Sequence, residues 1–326
     1  MENVSVIRRG WRIVRGHKAL FGFSAASALA SGLGFLALYA AAVAALLAAP
    51  GSLRFVFGLP PELFPRETLW PFSPWLFIVT ALGLIAWPPL WLLGLAARAA
   101  LIAGAAGADE TGRIAAGQSF GRGLRRAPRL AAMAFLLFLP NLVFYAVYYA
   151  VAIGALRGFM TQLLAAPDMT ALTRVSSFSL LSTSLSFLAL VLNVFLQFIY
   201  AFAFRGVVLN DLQPVAAIRH GWAVLRANAN DILPPAAIFG ATLVGAAVLW
   251  YGAFFAVYVL FIIALLTNRS GPSLGLIGVA GIAFLGLLAL SYVAAALYLA
   301  WRSAAFTVGY QRWTRAAAAA GEASTA

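Results

Sequence analysis

The chain has no cysteine, a single lysine and only nine acidic residues among 326. Without cysteine there is no disulfide framework, no thiol nucleophile and no thiolate-bound metal. Two histidines 203 positions apart leave little for any other transition-metal site, so neither a metal nor a cofactor is expected. Charged residues make up 10% of the chain, whereas soluble domains carry ~25%. That shortage, with 63% hydrophobic residues and a mean hydropathy of +0.94, excludes both a water-soluble globular domain and a disordered chain. The sequence is that of an integral membrane protein.

Motifs are missing as well. No G-x-x-x-x-G-K-[ST] phosphate loop and no H-E-x-x-H occurs, and no catalytic set can be assembled. The expectation is a protein that is not an enzyme.

What the chain does have is long charge-free runs. Lys18 and Arg54 enclose 35 uncharged residues, Glu67 and Arg98 enclose 30, and Arg129 and Arg157 enclose 27. The second half repeats this, with 30 between Arg174 and Arg205, 37 between Asp231 and Arg269, and 32 between Arg269 and Arg302. A membrane-spanning helix needs ~20 apolar residues. An all-α polytopic fold with six transmembrane helices is therefore expected, at residues 20–48, 75–104, 130–156, 178–206, 232–266 and 274–304. The first run is about twice the length of a signal-peptide core, so it is read as a retained span. None of the nine acids lies inside a span, which argues against the carboxylate relays of proton-coupled transporters.

The net charge of +13 comes from 22 basic residues against those nine acids. Fourteen of the basic residues fall in the N-terminal segment, the second and fourth connections and the C-terminal tail; five fall on the opposite side. By the positive-inside rule both termini are cytoplasmic. The 21-to-one excess of arginine over lysine points to a GC-rich bacterial source, hence to a bacterial inner membrane. Because the cations lie between hydrophobic runs, anionic lipid is the expected partner, with a membrane protein as a second possibility and no role for nucleic acid.

Two basic segments match each other. Residues 7–15 read IRRGWRIVR and residues 218–226 read IRHGWAVLR; a weaker copy, FGRGLRR, occupies 120–126. Arg98, Arg205 and Arg302 stand near the ends of the second, fourth and sixth runs. Together these features predict three parallel two-helix repeats within a single membrane domain, at 1–112, 113–211 and 212–310, followed by a flexible cytoplasmic tail at 311–326. Val4, Ile7, Trp11 and Val14 share one helical face with Arg8, Arg12 and Arg15 opposite, and Ile218, Trp222 and Leu225 oppose Arg219 and Arg226. Such helices are expected to lie in the interface with their apolar faces in lipid.

The candidate lipid- or anion-binding residues are accordingly Arg98, Arg205, Arg302, Arg8, Arg12, Arg15, Arg219 and Arg226. Asn141, Asn193 and Gln197 are candidate intramembrane polar contacts, either hydrogen bonds between helices or part of a polar path. Ser24, Ala28 and Gly32, and likewise Ala241 and Gly245, form small-residue stripes suited to close helix packing. Pro88, Pro89, Pro140, Pro234 and Pro235 should kink or start helices. His17 and His220 are expected to be solvated or to face lipid headgroups. Residues 50–74 suit an aromatic segment on the outer interface, and 157–177 a short interfacial helix. Asn268-Arg269-Ser270 fits a glycosylation sequon only by pattern.

The IRRGWRIVR and IRHGWAVLR segments and the ARAALI and FRGVVLND span endings resemble poorly characterised bacterial six-span proteins, including the membrane domain found with glycerophosphoryl diester phosphodiesterases. The resemblance implies an accessory membrane module; the soluble catalytic domain of that enzyme has no counterpart here. The expected function is a non-enzymatic accessory or scaffold engaging anionic lipid or a membrane partner. The alternative is a permease-like subunit for a lipid or amphiphile.

Overall fold

A computed structural model of the protein describes residues 2–48, 73–165, 169–267 and 274–325. Among them are eight helices and no strand: α1 (Glu2–Gly16), α2 (Lys18–Ala48), α3 (Ser73–Thr111), α4 (Ala116–Ala165), α5 (Met169–Asn210), α6 (Pro214–Ala227), α7 (Ala229–Thr267) and α8 (Leu274–Thr325). Six contain stretches long and apolar enough to cross a membrane, at Lys18–Ala45, Pro74–Thr111, Ala116–Gly154, Thr183–Asn210, Ala229–Val259 and Gly281–Arg315. This is a multi-pass membrane protein.

Several boundaries differ from the sequence expectation. Residues 157–165 continue α4, and α5 begins at Met169. The alanine-rich tail is helical through Thr325, consistent with alanine's helix propensity. Helix α3 runs through Pro88 and Pro89, α4 through Pro128 and Pro140, and α7 through Pro234 and Pro235. His17 alone separates α1 from α2 and Asn228 alone separates α6 from α7, whereas the basic segment at 120–126 is continuous with its span in α4. The proposed aromatic segment at 50–74 lies largely, and the sequon at 268–270 wholly, outside the described residues.

The chain forms two compact units. The first comprises Met1–Leu29, Ala96–Arg125 and Ala223–Ala326. Here α1 buries Val6, Ile7, Gly10, Ile13 and Val14 at the spacing of one helical face. That face packs on α8: the Trp301 indole Nε1 donates to the Ile7 carbonyl at 3.1 Å, and Trp11 meets Trp301 edge-on at 5.6 Å. The apolar side of α1 is thus covered by protein, in contrast to the lipid contact expected from the sequence. The reason is that α8 offers a groove of small residues, including Ala304 and Ala305, into which a helix with glycine at its centre can press.

Aromatic contacts join α7 to α8 in the same unit. Phe239 stacks edge-on with Tyr298 at 6.0 Å and Trp301 at 5.0 Å, while the Tyr298 hydroxyl donates to the Phe239 carbonyl at 2.8 Å. Farther along, Phe254 meets Phe284 at 5.2 Å, but most of the surrounding side chains point outward, up to 77% exposure at Leu249. Such apolar surface faces acyl chains at little cost, since lipid is as apolar as the protein interior.

The second unit comprises Ala30–Leu95 and Arg126–Trp222. Leu130, Met133, Phe202, Phe204, Val207 and Val208 are its large buried side chains. Helices α2 and α3 approach through small residues: a Cβ on Gly83 would collide with the Ala37 carbonyl, and one on Gly34 would touch Leu90 at 3.5 Å. The small-residue stripes read from the sequence behave differently from one another. Ser24 is buried, Ala28 half-buried, and a Cβ on Gly32 or Gly245 would meet nothing within 4 Å.

Candidate functional site: three glycine seats and the basic segments they hold

Each basic segment is held by a glycine pressed onto the end of a span. In the first unit a Cβ on Gly10 would lie 2.6 Å from the Ala305 Cα of α8, and a Cβ on Gly123 would strike the Ala96 carbonyl and reach the Ala100 nitrogen at 3.1 Å in α3. In the second unit a Cβ on Gly221 would lie 2.7 Å from the Ala203 nitrogen and 2.9 Å from the Ile199 carbonyl of α5. No side chain fits at any of the three positions, which is why glycine stands there despite its cost to a helix. The alanines met by these glycines, Ala100, Ala203 and Ala305, recur at spacings of 103 and 102 residues.

Measured against those contacts, the three span-end arginines do not share a register. Arg98 precedes Ala100 by two residues, Arg205 follows Ala203 by two and Arg302 precedes Ala305 by three. Helix geometry turns each step by about 100°, so Arg98 and Arg205 leave their helices within about 40° of one another relative to the seat, whereas Arg302 leaves about 100° or more away from both. Arg98 is half-buried and makes no ion pair or hydrogen bond among the described residues. Arg205 is 4% exposed, and its Nη1 donates to the Ala201 carbonyl at 2.6 Å. Half-buried Arg302 lies beside the Tyr298 hydroxyl.

Carboxylates clamp two of the segments. In the first unit Arg9 Nε pairs with Asp109 Oδ1 at 2.5 Å near the end of α3, and Glu110 Oε1 accepts from Gln311 Nε2 at 2.6 Å with Arg315 3.9 Å away. In the second unit Arg126 Nε and Arg129 Nη1 lie 3.2 Å and 3.0 Å from Asp211 Oδ1, and Arg126 also donates to the Val208 carbonyl. Asp211 has a φ of 54°, a left-handed conformation that Asp tolerates better than most residues and that ends α5. By contrast Arg8, Arg12, Arg15, Arg122, Arg125, Arg219 and Arg226 are exposed with no ion pair or hydrogen bond among the described residues.

Both histidines are half-buried. His17 sits in the α1–α2 break, with Nδ1 3.0 Å from the Ile13 carbonyl and Nε2 3.2 Å from the Gly112 carbonyl. A neutral ring donates to only one of these acceptors; a protonated ring donates to both. His220, in α6, packs against Gly206, and its burial lowers its pKa below the ordinary histidine value.

The intramembrane polar residues divide. Asn141 Nδ2 donates to Asn193 Oδ1 at 2.9 Å, and Asn193 Nδ2 donates to the Tyr145 hydroxyl and the Ala189 carbonyl, both at 2.9 Å. Asn141 is 9% exposed, and its Oδ1 has no partner among the described residues. Gln197 faces outward and takes no part in this cluster. Tyr145, one helical turn after Asn141, is the third member of the cluster. Among the described residues no three histidine, aspartate or glutamate side chains come together to hold a metal ion. No family model, curated protein or solved structure matches the chain.

Proposed function

We propose that this protein is a non-enzymatic accessory or scaffold of a bacterial inner membrane, with both termini cytoplasmic, that engages anionic lipid through its basic segments. One observation carries the reading: α1 and α6 are pinned on their inner sides by glycine seats while five of their arginines, Arg8, Arg12, Arg15, Arg219 and Arg226, project outward without a partner among the described residues. A rigid backbone presenting unpaired guanidiniums beside membrane spans suits phosphate groups, because the planar fork matches phosphate oxygens and little ordering is needed on binding.

A permease-like role draws less support. Asn141, Asn193 and Tyr145 bond to one another rather than lining a route, Gln197 lies apart, and the carboxylates in the described spans, Asp109, Glu110 and Asp231, stand within three residues of a span end rather than at its centre. The resemblance to the phosphodiesterase-associated membrane domain fits an accessory module in the same way.

Two measurements test this. Protein purified in mild detergent should retain phosphatidylglycerol over phosphatidylcholine in native mass spectrometry; equal retention of the two would overturn the lipid reading. Since the chain has no native cysteine, a single cysteine at Ser273 should label from outside intact cells and one at Gln118 only after permeabilisation. The reverse pattern would overturn the orientation.

A further inference from the structure

The outward faces of α1 and α6 carry one arrangement twice. In α1, Arg8, Trp11 and Arg15 stand at i, i+3 and i+7, with Arg12 beside Trp11; in α6, Arg219, Trp222 and Arg226 take the same spacing. Both tryptophans are exposed, Trp11 at 39% and Trp222 at 43%. Each is steadied edge-on by one ring, Trp11 by Trp301 at 5.6 Å and Trp222 by Phe195 at 5.5 Å. The glycine seats hold the opposite faces of these helices, so the arginines and indoles project outward.

The third basic segment lacks the device. Aligned on its seat at Gly123, it has Gly121, Leu124 and Pro128 where the others have arginine, tryptophan and arginine, and its Arg126 and Arg129 are taken by Asp211. The free Arg-Trp-Arg stripe therefore occurs on two helices and not on three.

We propose that α1 and α6 each dock the phosphate layer of an anionic bilayer, the two arginines binding phosphates of lipids on either side of the indole. This rests on the lipid-engaging reading above and assigns it to particular residues. Residues seven apart on a helix are separated by about 10.5 Å along its axis, too far for both guanidiniums to share one phosphate. An indole between them belongs at headgroup depth, where its apolar body and N–H both find partners. The source is lipid because each stripe ends at the edge of a span: only His17 separates α1 from α2, and only Asn228 separates α6 from α7.

The test compares R8Q/R15Q, R219Q/R226Q, the fourfold variant and R122Q/R125Q, each titrated in detergent with dioleoyl phosphatidylglycerol or phosphatidylcholine and counted by native mass spectrometry. Each lost stripe guanidinium should weaken phosphatidylglycerol binding about fivefold at its helix. Either stripe double should remove about half of the bound phosphatidylglycerol, and the fourfold variant should fall to the phosphatidylcholine level. R122Q/R125Q removes the same charge off the stripes and should change binding less than about twofold. Should a glutamine double fail to fold, R8K/R15K and R219K/R226K keep the charge without the fork and should bind at an intermediate level. Wild-type phosphatidylglycerol binding by the fourfold variant overturns the stripe proposal while leaving the lipid reading intact, as does an equal loss in R122Q/R125Q. Absence of any phosphatidylglycerol preference in the wild type overturns both.

Discussion

Gly10 of α1 lies against the backbone of Ala305 in α8 so closely that a Cβ on the glycine would come within 2.6 Å of the Ala305 Cα. Gly10→Ala must therefore push the helices apart, and Gly221→Ala must do the same at Ala203. Each should cost about 1–3 kcal/mol, the usual range for overpacking. Gly245→Ala meets nothing within 4 Å and should stabilise α7 by up to about 1 kcal/mol through helix propensity. Melting temperatures in a common detergent check the contrast: a lower value for the first two and an equal or higher one for the third.

Asn193 is the centre of the polar cluster within the spans, with hydrogen bonds to Asn141, Tyr145 and Ala189. Asn193→Leu should destabilise by roughly 1–2 kcal/mol, near the upper end for such bonds in membranes. Gln197→Leu, four residues on but outward-facing, should be nearly silent. Equal effects in the same melting assay would contradict the placement of these side chains.

Asp211 joins two roles, the ion pairs to Arg126 and Arg129 and a left-handed backbone conformation. Asp211→Asn keeps the conformation accessible and loses the charge, so it should cost about 0–1 kcal/mol, with the difference from wild type shrinking at high salt. Asp211→Val adds the penalty of a β-branched residue at positive φ and should cost about 1–2 kcal/mol more, independent of salt. Salt-dependent melting of the two variants separates the roles.

Burial lowers the pKa of His220 in the folded protein below its ordinary value of about 6.5. As pH falls through about 6.5 the unfolded chain takes up a proton that the folded chain resists, so the His220 contribution to stability declines with falling pH. His220→Gln should remove that part of the decline between about pH 7 and pH 5. Unfolding midpoints measured across that range would show a flatter profile for the variant; a steeper one would contradict the burial of the ring.

The matched segments at 7–15 and 218–226 made Gly10 and Gly221 visible as shared positions, but not as contacts. On a helical wheel glycine carries no side chain to assign to a face, so spacing alone groups Trp11 with the apolar residues. In the structure Gly10 completes the buried face with Val6, Ile7, Ile13 and Val14, and Trp11 turns outward beside the arginines. The Asn141–Asn193 pair was legible as a pair of polar residues in neighbouring spans, whereas the separation of Gln197 from them depended on helix rotation. Similarly, Arg98, Arg205 and Arg302 look equivalent by their flanking residues and differ once their registers on the glycine contacts are known.

The number of spans followed from the sequence alone, because bilayer thickness acts on the length of each apolar run separately and needs no knowledge of its neighbours. The positions of the basic segments followed in the same local way from the charges. Which face of a helix meets protein and which meets lipid was decided only by the tertiary structure, since both surroundings are apolar and the residues facing them have the same composition. Gly10 against Ala305 and Gly245 with nothing within 4 Å are one residue type in two environments, and only the packing of the helices distinguishes them.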